Sequence, residues 1–93
     1  MKAVIWKYVL VPGSNVLILP RTSRALSVGW QGEDLVMWVL LPDPGFTHQL
    51  FERSFLAVVT GEEFDRSNTD EYVGTAMYGS EGGLTAHVFE VKS

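Results

Sequence analysis

Apolar residues in this chain recur at every second position over short stretches, and no stretch carries the three-to-four spacing of an amphipathic helix. In Lys2–Val11, Val4, Trp6, Tyr8 and Leu10 fall on one side and Ala3, Ile5, Val9 and Val11 on the other. Both sides are largely apolar, which predicts a first strand covered on both faces. Lys7 is the exception, and its ammonium must reach solvent or find a partner. Pro12-Gly13-Ser14-Asn15 predicts a turn, Val16–Pro20 a short second strand stopped by proline, and Arg21–Arg24 a polar link. Ala25–Gln31 sets Leu26, Val28 and Trp30 against Ala25, Ser27 and Gly29. Gly32-Glu33-Asp34 then turns the chain into Leu35–Leu41, apolar on both faces and therefore expected at the centre of a sheet.

Pro42-Asp43-Pro44-Gly45 ends that strand, and Phe46–Gln49 reads as a loop or a turn of helix. Leu50–Thr60 alternates Phe51, Arg53, Phe55, Ala57 and Val59 against Glu52, Ser54, Leu56 and Val58. Gly61–Asp70 is a polar loop with a single apolar anchor, Phe64. One short helical turn is expected there, since Thr60-Gly61-Glu62-Glu63 resembles a capping pattern. Glu71–Tyr78 and Leu84–Val91 flank the glycine-rich Gly79-Ser80-Glu81-Gly82-Gly83, the grammar of a β-hairpin. The expectation is all-β: a compact antiparallel sandwich or small barrel of about seven strands, forming a single domain over residues 1–93.

Composition narrows this picture. Hydrophobic residues make up 46% of the chain and charged residues 19%, the balance of a folding sequence. A single core of this length is marginal, and with no cysteine the chain has neither a disulfide nor a zinc–thiolate site to brace it. Association is the remaining supplement, which predicts a homo-oligomer. The absence of cysteine suits a reducing cytoplasm. The N-terminal run is too short and interrupted for a signal peptide, and Leu35–Pro42 is too short to span a bilayer, so a soluble cytoplasmic protein with no membrane partner is expected. A net charge of −4 argues against general DNA or RNA binding but leaves room for a small anion held by two or three local cations.

Catalytic signatures are missing. Neither His48 nor His87 sits in a nucleophile or metal-ligand motif, and His87 reads as a hydrogen-bonded strand residue, His48 as surface. The acidic residues of the 61–71 region miss the spacing of a calcium loop, so neither metal nor cofactor is expected. Arg21 and Arg24 flank Thr22-Ser23 and place two guanidiniums and two hydroxyls on one link. Arg53 shares a strand face with Phe51 and Phe55, where an unpaired charge is costly. It either pairs with Glu52, Glu90 or an acid of the loop, or turns its donor fork to a phosphate or carboxylate ligand. Trp6, Trp30 and Trp38 alternate with aliphatic residues, the pattern of core packing; an aromatic beside an arginine also suits a nucleobase and its phosphate.

Val4-Ile5-Trp6-Lys7-Tyr8, Leu19-Pro20, Trp38, Thr60-Gly61, Tyr72-Val73-Gly74-Thr75 and His87-Val88-Phe89-Glu90 together resemble a family of small phage-encoded proteins. The likeness covers nearly the whole chain in order. It departs at Val59-Thr60-Gly61-Glu62, where relatives carry a Gly-Thr-Gly-His, so a role resting on that histidine does not transfer. The resemblance implies phage origin and a compact β fold. The function expected is a non-enzymatic phage protein that sequesters a small host immune signal of cyclic-nucleotide type in the cytoplasm of the infected cell. Its ligand-binding set is Arg21, Arg24, Arg53, Trp6, Trp30, Thr60 and His87. The alternatives are a protein-interaction module, acting as a host-enzyme inhibitor or small virion component, and a hydrolase of the same nucleotides dependent on His87.

Overall fold

The alternating segments pair into two antiparallel sheets in a computed structural model, which describes residues 2–42, 49–79 and 84–91. The strands are β1 (Val4–Leu10), β2 (Gly13–Pro20), β3 (Arg24–Gln31), β4 (Asp34–Leu41), β5 (Leu50–Val59), β6 (Thr69–Tyr78) and β7 (Leu84–Val91). One sheet has the order β1-β4-β3 and the other β2-β5-β7-β6. The arrangement is a sandwich, because neither sheet closes on itself as a barrel would. β4 takes the central place that its two apolar faces predict. The chain turns from β3 into β4 through Gly32 and Glu33; Gly32, at φ +59°, has the sign that the first position of a II′ hairpin turn requires.

The core is the set of side chains that the two pleats aim at each other. Leu10, Leu35, Met37 and Val39 come from one sheet, and Leu19, Phe55, Ala57, Ala76, Ala86 and Val88 from the other, all buried. Gly74 on β6 marks the side where the sheets nearly touch: a Cβ there would lie 3.1 Å from Val28 Cγ2 on β3. A side chain there would require Val28 to give by a few tenths of an ångström.

Several expectations need correction. β1 is an edge strand rather than a covered one: Ile5, Trp6 and Val9 are all more than half exposed. Trp6 therefore does not join the core, although it alternates with residues that do. Lys7 meets its requirement by donating from Nζ to Gln31 Oε1 at 2.6 Å across the sheet. In β3 the register slips between Ala25 and Ser27. That bulge places Ala25 with Val28 and Trp30 against the core and leaves Leu26 exposed, reversing the expected faces at that end.

The segment expected as a turn, Pro12–Asn15, is shorter, since β2 already starts at Gly13. Asn15 is buried there and works as a staple. Its Oδ1 accepts from Val11 N at 2.8 Å, and its Nδ2 donates to Val11 O at 2.9 Å and Gly13 O at 3.1 Å. The short helical turn exists but lies later in the loop, as a 3₁₀ turn at Arg66–Asn68 capped by Asp65. Glu62 instead accepts from Val59 N and closes the tight turn after β5. Residues 43–48, including His48 and most of the predicted Phe46–Gln49 loop, and residues 80–83 of the closing hairpin lie outside the described residues.

Candidate functional site

The seven candidate residues are distributed over five places. Arg21 follows the end of β2 and extends over β5, where its guanidinium carbon lies 4.4 Å from the centre of the Phe51 ring. β2–β5 pairing sets Leu19 opposite Phe51, so the strand register carries Arg21 to the ring. Arg21, Thr22, Gln49 and Phe51 line an open groove of about 440 Å³. A guanidinium over an aromatic face is held by the ring quadrupole while its N–H edge stays available to oxygen acceptors.

Arg24 and Arg53 border a narrower cleft of about 110 Å³ with Ser23, Glu71, Tyr72 and Glu90. Arg53 is already engaged there. Its Nε donates to Glu90 Oε2 at 2.7 Å and its Nη2 to Glu90 Oε1 at 2.8 Å, while Nη1 donates to the Ser23 carbonyl. Both side chains are mostly buried, at 18% and 17% exposed. The hydrogen bond to Glu90 holds the Arg53 pKa above its ordinary value, against the desolvation that lowers it. Of the partners the sequence offered Arg53, Glu90 is the one it takes. The pair anchors the β2–β3 link, which carries the chain from one sheet to the other. Ser23 Oγ is buried beside it without a partner among the described residues.

Thr60 and His87 do come together, on the outer face of the four-stranded sheet. Thr60 Oγ1 is 2.8 Å from His87 Nε2, Thr75 Oγ1 is 3.0 Å from His87 Nδ1, and Tyr72 OH is 2.5 Å from Thr75 Oγ1. Thr60 Oγ1 also approaches the Thr85 carbonyl at 3.4 Å. With a neutral imidazole, only one orientation satisfies all four contacts. Thr60 spends its single proton on Thr85, His87 Nε2–H donates to Thr60, Thr75 donates to Nδ1, and Tyr72 donates to Thr75. In that orientation His87 faces Thr60 as a donor. Beside this chain, Phe64 of the polar loop stacks on Phe89 with ring centres 5.4 Å apart, and Tyr72 tilts against the same ring. Val59, Thr60, Glu62, Phe64, His87 and Phe89 border a groove of about 320 Å³.

Trp30 lies apart from all three grooves. Its Nε1 donates to the Ala76 carbonyl at 3.1 Å and its ring meets Tyr78 edge-on. It helps to line a largely apolar cavity of about 210 Å³ with Leu10, Leu35, Ala57 and Ala86. Trp6 stands on the edge strand β1 and lines none of these grooves.

Sequence reasoning missed Thr75 as the second partner of His87, although the signal was there. Tyr78 faces Leu84 across the hairpin, and counting back along both strands sets Thr75 opposite His87. Phe51 as the platform for Arg21 had no such local signal. Among the described residues, no group of three or more His, Cys, Asp or Glu side chains is placed to hold a metal ion, and no helix is long and apolar enough to cross a membrane. No curated protein and no solved structure matches the chain. One family model, described as Domain of unknown function (DUF7352), matches residues 1–93, and the chain belongs to that family.

Proposed function

We propose that this protein holds a small planar anion of nucleotide type without transforming it, with the groove over Phe51 as the binding place. The observation that carries this reading is the stack of Arg21 on Phe51 beside the Thr22 hydroxyl and the Gln49 amide. The guanidinium held over the ring keeps its N–H edge for a phosphate and its outer plane for stacking on a base. The orientation that satisfies every contact of a neutral His87 has the imidazole donating to Thr60, which supports binding over turnover. The resemblance to phage-encoded proteins supplies the setting: sequestration of a cyclic-nucleotide immune signal in the infected cell's cytoplasm. Arg24 and Thr60 belong to other grooves, and Arg53 is held by Glu90, so Arg21 is the cation on which binding rests.

The test is calorimetric titration with a panel of cyclic mono- and dinucleotides, followed by denaturation and recovery of the nucleotide. A bound nucleotide recovered intact is expected. Arg21→Ala is expected to weaken binding about 10- to 150-fold, the equivalent of one charge-assisted hydrogen bond. Binding unaffected by Arg21→Ala refutes the groove. Absence of binding across the panel refutes the ligand class, and turnover abolished by His87→Ala would make the protein a hydrolase. A second reading, a protein-interaction module, is favoured by the exposed apolar side chains of β1.

A further inference from the structure

Four strand edges bound the sandwich: β1 and β3 in one sheet, β2 and β6 in the other. Unpaired N–H and C=O groups on an edge are a template for another strand, and proteins blunt them with charges, bulges or cover. β3 and β6 are blunted in all three ways. Their registers slip at Ala25/Ser27, Thr69/Glu71 and Tyr72/Gly74, β6 carries Asp70 and Glu71, and the two strands press together where Gly74 meets Val28.

β1 and β2 lack bulges and carry one charge between them. Their registers run unbroken, from Val4 opposite Leu41 to Leu10 opposite Leu35, and from Gly13 opposite Ala57 to Pro20 opposite Leu50. β2 has no charged residue. β1 has only Lys7, whose ammonium is drawn inward across its own sheet by Gln31. Ile5, Trp6, Val9 and the following Val11 are each more than half exposed, as are Val16 and Ile18 of β2.

We propose that β1 is the surface through which two copies of this chain associate, pairing antiparallel about a two-fold axis to join two three-stranded sheets into one of six. Two observations select a second copy as the occupant. An antiparallel pairing of one strand with itself is self-complementary, the requirement of a two-fold interface. A chain of net charge −4 repels its own copies at most approaches, whereas β1 carries no carboxylate. The register centred on Trp6 sets that ring against its counterpart and keeps two Lys7 ammoniums from facing each other directly.

Sedimentation equilibrium in the micromolar range tests this, with circular dichroism and a melting curve to verify the fold of each variant. The wild-type chain is expected at twice 10.3 kDa. Trp6→Lys and Val9→Lys are each expected to halve that mass, while Met77→Lys, a change at an exposed residue of β6, leaves it unchanged. Amide exchange in β1 is expected to be slow in the wild type and fast in the Lys variants. A wild-type mass equal to one chain overturns the proposal. So does a dimer that survives both β1 variants, or one that Met77→Lys dissociates. Should Trp6→Lys fail to fold, Val9→Lys decides the outcome.

Discussion

Truncation of Glu90 tests the account of the β2–β3 link most directly. Glu90→Ala removes both acceptors of the Arg53 fork and leaves the guanidinium, 18% exposed, with only the Ser23 carbonyl. Stripping one partner from a buried ion pair costs about 3–5 kcal/mol, most of it the penalty of an uncompensated charge. Since each side chain still reaches some water, the lower end applies, about 3 kcal/mol. In a domain of this length each kcal/mol moves the melting temperature by about 4–8 °C, so a fall of at least about 12 °C is expected.

Replacing both partners, as Arg53→Met with Glu90→Leu, should restore most of the loss, because an apolar pair of similar volume removes the stranded charge. Urea titration of the wild type, both single variants and the double variant supplies the cycle. A Glu90→Ala loss below about 1 kcal/mol would place the pair among weak surface bridges and refute the reasoning. The pH dependence adds a constraint of known sign. The folded pKa of Arg53 lies above its ordinary value, so its contribution is fully present below that value and is lost only as pH rises through the higher one. Titration of Arg53 therefore leaves stability unchanged from neutral to mildly alkaline pH.

Two further outcomes follow from side chains that bind backbone. Asn15→Ala should cost about 2 kcal/mol in urea unfolding, and Asn15→Asp more at neutral pH, because the carboxylate would face the Val11 and Gly13 carbonyls. The Asp deficit should shrink on acidification; an Asp variant as stable as Asn15 would refute the staple. The Asp65 carboxyl is held below the ordinary aspartate range, first by the Ser67 hydroxyl and then by the Ser67 backbone N–H. Its support of the 3₁₀ turn is therefore present above that range and lost as pH falls through the lowered value. The Ser67 amide resonance should report that titration and lose it in Asp65→Ala; a midpoint at the ordinary aspartate value would contradict the cap.

Much of the fold was legible because strand periodicity is local. The alternation of Phe51, Arg53, Phe55 and Ala57 separated the two faces of β5, of which Phe55 and Ala57 prove buried, and the two-sided apolar run of Leu35–Leu41 named the middle strand. Whether an apolar face is covered depends on strand order, which periodicity does not encode. Ile5 and Val9 of β1 have the spacing of buried residues and stand in solvent. The bulge after Ala25 was hidden for a related reason: one extra residue leaves composition untouched while exchanging the faces beyond it. The candidate site was legible only in parts. The need of Arg53 for a partner followed from burial cost, and the Thr75–His87 pair could be counted from the hairpin. Arg21 over Phe51 required knowing that β2 lies beside β5, a pairing between segments with two strands intervening.

That same pairing governs how the chain reaches its structure. Only β3–β4 and β6–β7 join neighbours in sequence; β1 must reach past β2 and β3 to β4, and Leu19 past β3 and β4 to Phe51. Closing such long loops before any contact rewards them makes the barrier largely entropic. The protein should accordingly refold in milliseconds to seconds rather than microseconds. During that interval the uncharged β2 is without its neighbour, and the window for mispairing between chains is set by the arrival of β5.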